Sequence, residues 1–285
     1  MNGTLAHPTL TIRTLGTAAV LVDGQPVQWH ADSARTLFCY LFAHPGGRTR
    51  AQILDELWGL DEDAASGNRF RVTLHRLRSA LGFPGAVQER HGRYALADEV
   101  LAASDVAALH AELARAGRAE GWAEQEAAYG RALALYQGEF LPDENAEWAR
   151  DAREEHRAAY VQAATRLSRL RCDVRDCRGA VDALAGALRA DPYVGENHHQ
   201  KLMTCLSVVE GKYAAIEHYR RFLRFLRDDV GDRAMPETGE LAERIKAGEP
   251  ICRRATAPDA PLGHACPFLQ GGRCPGWPHR AETMN

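Results

Sequence analysis

The stretch from residue 64 to residue 81 constrains the fold more than any other part of this sequence. Its apolar residues recur at helical spacing and form one stripe, made of Phe70, Leu74, Leu77 and Leu81. At about 100° per residue, the opposite side of such a helix is mainly polar and basic, and no acidic residue occurs between 64 and 88. The pattern predicts a helix that packs on a core through one face and presents a cationic face to a partner.

Short segments of β type precede this helix. Leu10–Arg13 and Ala18–Val22 are short runs of β type, and the turn pair Asp23-Gly24 follows them, which predicts a small antiparallel ribbon. Two helices with apolar faces should follow, with Ser33 and Thr49 as their N-caps. The stretch from 64 to 81 would then be the third helix of the region.

A hairpin with a basic tip is predicted directly after the third helix. Glycine and proline at positions 82–85 end the helix, and residues 87–96 contain two β-type runs. The basic residues at the tip are Arg90, His91 and Arg93. A ribbon, three helices and a hairpin in this order predict an α+β winged helix-turn-helix over residues 1–100.

The chemistry of the third helix fits the major groove of DNA, where arginine can bond twice to guanine and asparagine twice to adenine. The residues expected to approach base edges are Asn68, Val72, His75, Arg76 and Ser79. Five arginines on the helix flanks and on the hairpin wing 87–96 are expected to contact phosphates: Arg69, Arg71, Arg78, Arg90 and Arg93.

Overall charge gives no support of its own to DNA binding. The formal net charge is -3, so affinity for phosphate must come from a local patch. A basic helix face is more often solvated surface than a binding site. The alternative is therefore a helical-repeat protein-interaction scaffold without DNA binding.

Residues 101–249 have a different character, rich in Ala, Leu, Glu and Arg, and they predict an all-α region. Within it a pattern recurs at an offset of 35 residues: Ala180, Val181, Leu184, Ala187 and Leu188 correspond to Ala215, Ile216, Tyr219, Phe222 and Leu223. A period near 34 is typical of tetratricopeptide-like helix pairs. Such pairs stack and create surfaces that bind proteins or peptides.

Several of these segments resemble known families. Arg76-Leu77-Arg78 and Gly92-x-Tyr94 resemble the OmpR-type winged helix of bacterial regulators. The second region resembles the bacterial transcriptional activator domain through these segments: Tyr136–Leu141, Trp148, Ala190–Tyr193, Leu202-Met203, Glu210–Ala215 and Pro236–Thr238. Together they resemble SARP-type regulators over about residues 8–249.

The resemblance implies a transcriptional regulator, and an activator rather than a repressor. Its partners would be double-stranded DNA and RNA polymerase, and it would bind as a homodimer or as paired monomers on DNA. An enzyme is not expected, since the sequence contains no phosphate-binding glycine loop, nucleophile elbow or zinc-protease motif. We also expect a cytoplasmic protein that contacts no membrane, because no apolar run approaches the length that spans a bilayer.

Residues 250–285 form a tail rich in Cys, His and Pro, predicted to be irregular. Its candidate metal or redox residues are Cys252, Cys266, Cys274, His264 and His279. They could bind zinc, an iron-sulfur cluster or haem, although the paired Cys-x2-Cys of ordinary zinc sites is missing. Thiol redox sensing, which could gate the regulator by a signal, and an inert tail are the alternatives. Cys172 and Cys177 could add a thiolate if the tail folds back onto them.

Overall fold

The structure, a computed structural model, describes residues 8–252. The described residues form two compact units, one that ends at residue 160 and one that begins at residue 161. An N-terminal winged helix-turn-helix region of small sheets and helices is followed by an all-helical region, which is the predicted fold class. The boundaries predicted at residues 100 and 249 stay predictions.

The first unit contains all the strands of the described residues. Its elements are β1 (Leu10–Arg13), β2 (Ala19–Val22), β3 (Gln25–Pro26), α1 (Asp32–Ala43), β4 (Arg48–Thr49), α2 (Arg50–Trp58), α3 (Ala64–Ala80), β5 (Val87–Arg90), β6 (Arg93–Leu96), α4 (Asp98–Ala102), α5 (Asp105–Arg118), α6 (Trp122–Leu135) and the first part of α7 (Arg150–Asp173). The predicted third helix ends one residue early, with Leu81 as its C-cap.

The strands form two antiparallel three-stranded sheets. In the first sheet, which has the order β1-β2-β3, Leu10 of β1 pairs with Val22 of β2. The chain reverses at Asp23-Gly24 between β2 and β3, which confirms the predicted ribbon. The second has the order β4-β6-β5 and contains the hairpin predicted at 87–96. Strand β4 was not predicted, and it makes this wing a sheet of three strands instead of two.

The starts of the first two helices differ in how well the sequence predicted them. Thr49 caps α2 as expected, since its side chain accepts from the backbone N–H of Gln52 in a reciprocal capping box. The N-cap predicted at Ser33 is wrong. The N-cap is Ala31, two residues earlier, which offers no side-chain acceptor, and helix α1 begins at Asp32. An acidic residue in the first turn favours the helix instead, through the helix dipole.

Hydrogen bonds connect the segment after β1 to α5 and to the loop after α6, and we call this set of contacts the joint. The Asp105 carboxylate, in the first turn of α5, accepts from the backbone N–H groups of Thr14 at 2.7 Å and Leu15 at 2.9 Å, and from the Thr14 hydroxyl at 2.9 Å. The N–H of Gly16 donates to the carbonyl of Glu139 at 2.9 Å. One core includes residues from β1, α1, α3, the wing, α5 and residues 132–152.

The described part of the second unit is helical. It contains the rest of α7, α8 (Cys177–Ala190), α9 (Glu196–Val209), α10 (Lys212–Phe225), a π-helical turn at Leu226–Val230 and α11 (Pro236–Lys246). The two copies of the predicted repeat are α8 and α10, each of 14 residues, whose starts lie 35 positions apart. Their apolar residues share one core with α9 and α11.

Two neighbouring histidines, His199, which is buried, and His218, which is half-buried, lie between α9 and α10. Nδ1 of His199 is 3.3 Å from Nε2 of His218, and the His199 ring stacks on Phe222 with centroids 3.9 Å apart. Burial lowers the pKa of each histidine to about 4, and a positive charge on His199 would lower the pKa of His218 further. The folded protein therefore holds both rings neutral at pH 7.

We expect acid to destabilise the protein through this pair. The unfolded chain protonates histidine near its ordinary pKa, above the folded value, so stability is fully present above about pH 6.5 and falls as the pH drops towards 4. The slope should reach at most about 1.4 kcal/mol per pH unit for each ring. Urea unfolding at pH 7 and pH 5 measures it. His218→Gln should reduce the loss of stability, whereas the same change at exposed His75 should not. An unchanged loss in His218→Gln would contradict the assignment.

Candidate nucleic-acid interface

Helix α3 begins at a capping box. The Asp63 carboxylate accepts from the backbone N–H of Ser66 at 2.7 Å, and the Ser66 hydroxyl accepts from the N–H of Asp63 at 2.9 Å. These hydrogen bonds hold the pKa of Asp63 below its usual value. The chain therefore enters α3 with a fixed direction, which sets the rotation of the helix face that follows.

The apolar stripe anchors α3 as predicted. Phe70, Leu74, Leu77 and the C-cap residue Leu81 are all buried in the core of the first unit. The Phe70 ring also meets the Tyr94 ring edge to face, with centroids 4.8 Å apart, so the helix packs directly on strand β6. One face of α3 is thus unavailable to any partner.

The opposite face of α3 is open to solvent. All five residues predicted to approach base edges are exposed: Asn68, Val72, His75, Arg76 and Ser79. On a helical projection they occupy a sector of about 100° centred away from the stripe. Val72 is 40% exposed, so this face also offers one apolar side chain to a partner. The structure therefore brings the five predicted residues together on one accessible surface.

The three arginines on the flanks of α3 have different surroundings. Arg71 is exposed, and the guanidinium carbon of Arg69 lies 4.8 Å from the centroid of the Trp58 ring, a cation–π contact with α2. Arg78 is half-buried, and its Nη2 donates to the carbonyl of Val87 at 2.7 Å. Arg78 thus joins α3 to the first strand of the wing, a structural contact that sequence reasoning missed.

The wing turns through a tight reversal whose two central residues, His91 and Gly92, have φ of 54° and 73°. Such angles suit a two-residue hairpin turn with the right-handed twist of the strands. Arg93 faces the loop after α1, where its guanidinium donates to the carbonyls of Gly46 at 3.3 Å and Gly47 at 2.7 Å. Arg90 is exposed, and its Nη2 lies 2.5 Å from Oε1 of Gln88.

The exposed cations of α3 are not neutralised within the described part of the chain. No ion pair engages Arg71 or Arg76 there, whereas Arg50 at the start of α2 pairs with Glu62. An anionic polymer that lies along α3 would therefore meet free guanidinium groups without displacing an acidic side chain. The arrangement can bind phosphates and donate hydrogen bonds to base edges.

Of the five metal or redox residues predicted in the tail, the structure describes one. Cys252 is half-buried at the end of the described chain, and Cys266, Cys274, His264 and His279 lie outside the described residues. Within residues 8–252, no three His, Cys, Asp or Glu side chains already form a group that could hold a metal ion. None of the helices in that range is long and apolar enough to cross a membrane.

Two comparisons match this chain to known proteins. Residues 103–246 match the family described as Bacterial transcriptional activator domain. A solved structure described as Mycobacterium tuberculosis EmbR in complex with low affinity phosphopeptide superposes with a TM-score of 0.62 at 21% identity, covering 87% of this chain and 68% of that chain. At this identity the likeness establishes the fold. No curated protein sequence matches the chain.

Proposed function

The chain belongs to the bacterial transcriptional activator domain family, and from that membership we propose that it is a sequence-specific DNA-binding activator. Helix α3 enters the major groove, and the wing lies against the neighbouring backbone. The observation that carries this proposal is the exposed face of α3, which is basic and unpaired while the opposite face is fixed in the core. The family consists of transcription regulators, so no enzymatic activity is proposed.

The partners follow from the same surface. One winged helix buries too little area for high specificity, so we propose that two copies of the chain bind paired half-sites. RNA polymerase would be contacted through the helical region, whose exposed aromatic residues Tyr193 and Tyr213 are suited to protein contacts. Cytoplasmic location follows from this function.

The experiment that tests the function is selection of duplexes from a random DNA pool by the full chain, followed by binding isotherms at several salt concentrations. A DNA-binding regulator enriches a defined sequence, and its affinity falls steeply as salt rises. A helical-repeat scaffold without DNA binding, the alternative, gives neither an enriched sequence nor salt-sensitive retention. That result would refute the proposal.

Arg76 tests the prediction that α3 makes hydrogen bonds to base edges. If its guanidinium bonds to a base, Arg76→Ala should weaken binding to the selected sequence by about 1–3 kcal/mol and binding to random duplex much less. Fluorescence anisotropy with both duplexes measures the difference. Arg118→Ala, at an exposed arginine of α5, is the matched control and should change neither affinity. Equal losses on both duplexes would make Arg76 a phosphate contact instead.

The wing arginines should differ in their effects. Arg90 is exposed at the tip, so Arg90→Ala should reduce the slope of log affinity against log salt by about 0.9, the value for one phosphate contact. Arg93 also bonds to two backbone carbonyls, so Arg93→Ala should reduce the slope and also lower the melting temperature. A slope unchanged in both variants would remove the wing from the interface.

A further inference from the structure

Helices α10 and α11 lie side by side and run in opposite directions. Nζ of Lys212 at the start of α10 donates to the carbonyl of Lys246 at the end of α11, at 3.4 Å. Further along the pair, a Cβ on Gly239 of α11 would lie 3.8 Å from the hydroxyl of Tyr219 in α10. Helix α9 packs against both of them. The sides of α10 and α11 that face away from α9 therefore form one outer surface.

The outer side of α10 is basic. The buried side of this helix belongs to the core of the second unit, and at about 100° per residue the opposite side carries three exposed arginines, Arg220, Arg221 and Arg224. We call these three residues the basic face. Glu217 is the single acidic residue of α10, and its carboxylate lies 3.7 Å from Arg220 and 3.8 Å from Arg224. Arg221 has no ion pair within residues 8–252. Positive charge is thus in excess on this side.

The outer side of α11 is acidic. Glu237, Glu240 and Glu243 recur every three residues, and all three are exposed. We call them the acidic face. The two basic residues at the end of the helix already form ion pairs, Arg244 with Glu249 and Lys246 with Glu243. Within the described part of the chain, Glu237 and Glu240 have no ion pair, so negative charge is in excess here.

The basic and acidic faces of two copies complement each other. A two-fold axis parallel to the helices, on the surface between them, would lay α10 of each copy on α11 of the other. At 1.5 Å per residue, Arg220 lies about 12 Å from the start of α10, and Glu240 lies about 9 Å from the end of α11. Those two ends are level with each other, so Arg220 of one copy would lie opposite Glu240 of the other. The same count places Arg224 within an arginine's reach of Glu237.

A second copy fits this surface better than an acidic partner of another kind. An acidic peptide or DNA that lay on α10 would be repelled by the acidic face directly beside it, whereas a second copy matches both faces at once. Exposed ion pairs contribute little affinity, so the charges select the partner and the alignment, and apolar contact must add to them. Tyr213, which is 83% exposed, lies on the same side of α10 as the basic face and supplies such contact.

We propose that two copies of this chain associate through this surface, with the basic face of each copy on the acidic face of the other. The inference rests on the proposed function for its purpose, because it identifies the contact through which paired copies would occupy paired half-sites. The dimer would cover Tyr213, which leaves Tyr193 as the exposed tyrosine available to RNA polymerase.

The test measures the mass of the full chain, 31.4 kDa as a monomer, by sedimentation without DNA. The unmodified chain should form a dimer at micromolar concentration in low salt and should dissociate as salt rises, because salt screens exposed charges. Arg220→Glu/Arg224→Glu and, separately, Glu237→Lys/Glu240→Lys should each weaken the dimer about tenfold or more, since like charges then meet in both contacts. An equimolar mixture of the two variants should restore a dimer with one copy of each, because both of its contacts again join opposite charges.

Arg118→Glu/Arg189→Glu is the matched control, since it reverses two exposed charges outside this surface and should leave the dimer unchanged. Circular dichroism checks the fold, and the milder Arg220→Gln/Arg224→Gln, which should also weaken the dimer, replaces the reversed variant if that variant unfolds. A monomeric unmodified chain would overturn the proposal, as would a mixture of two folded variants that stays monomeric. Weakening by the α10 variant but not by the α11 variant would also overturn it. Because no DNA is present, each of these failures is distinct from a failure of the DNA selection.

Discussion

Replacing Gly16 with alanine is expected to destabilise the first unit by about 3 kcal/mol or more. Gly16 has a φ of +92°, which residues with a side chain rarely adopt, and a Cβ there would lie 2.7 Å from the carbonyl carbon of Gln137. Backbone strain of about 1–2 kcal/mol adds to overpacking of about 1–3 kcal/mol. The obstacle is backbone next to Glu139, whose carbonyl accepts from the N–H of Gly16, so it cannot move aside cheaply. Urea unfolding, followed by fluorescence, measures the loss.

Gly24→Ala is the matched control for this prediction. Gly24 also has a positive φ, +77°, but nothing lies within 4 Å of the position of its added Cβ. It should therefore show the strain without the overlap, about 1–2 kcal/mol. If the two variants lose the same stability, the close approach of residue 16 to residues 137 and 138 has no energetic importance.

Removal of the Asp105 carboxylate should cost the first unit about 3 kcal/mol. Asp105→Ala leaves the N–H groups of Thr14 and Leu15 without their acceptor in a place where these residues are only 1% and 2% exposed. Each unsatisfied buried donor costs about 1–3 kcal/mol. Asp105→Asn keeps an oxygen that can accept one or both bonds, so it should lose less. Thermal and urea unfolding of the three proteins at pH 7 give the values.

The control for Asp105 is Asp23→Ala. The Asp23 carboxylate accepts a single backbone N–H, from Thr9 at 2.9 Å, in exposed surroundings. Water can replace that acceptor, so the loss should stay below about 1 kcal/mol. A similar loss at both positions would mean that the contacts of Asp105 with the segment after β1 contribute little.

Much of the fold was predictable because local patterns and tertiary packing agree. The stripe through Phe70 and Leu77 gave the position and the buried face of α3, and the capping box at Thr49 gave the start of α2. The 35-residue repeat located α8 and α10. For the stripe and the repeat, a periodic apolar face needs only one direction of burial, so the pattern carries the information without its partner.

The parts that could not be predicted depend on residues distant in sequence. Strand β4 has two residues and no β pattern of its own, and it forms because Arg48 lies opposite Tyr94. The hydrogen bonds of Arg78 and Arg93 also depend on distant residues. Their charge predicted phosphate contacts, but the guanidinium group of Arg78 donates to the carbonyl of Val87 and that of Arg93 donates to the carbonyl of Gly47. Their roles on DNA stay predictions.

The joint at Asp105 also limits how this gene can evolve. Recombination could exchange the first hundred codons with those of a distant relative. The segment after β1 would then come from the relative, whereas its acceptor Asp105 and the closely packed Gly138 would come from this chain. Such a chimera would contain mismatched contacts in its interior, whatever DNA sequence it was selected to bind. The winged region and the opening helices of the family region are therefore expected to be inherited as one block.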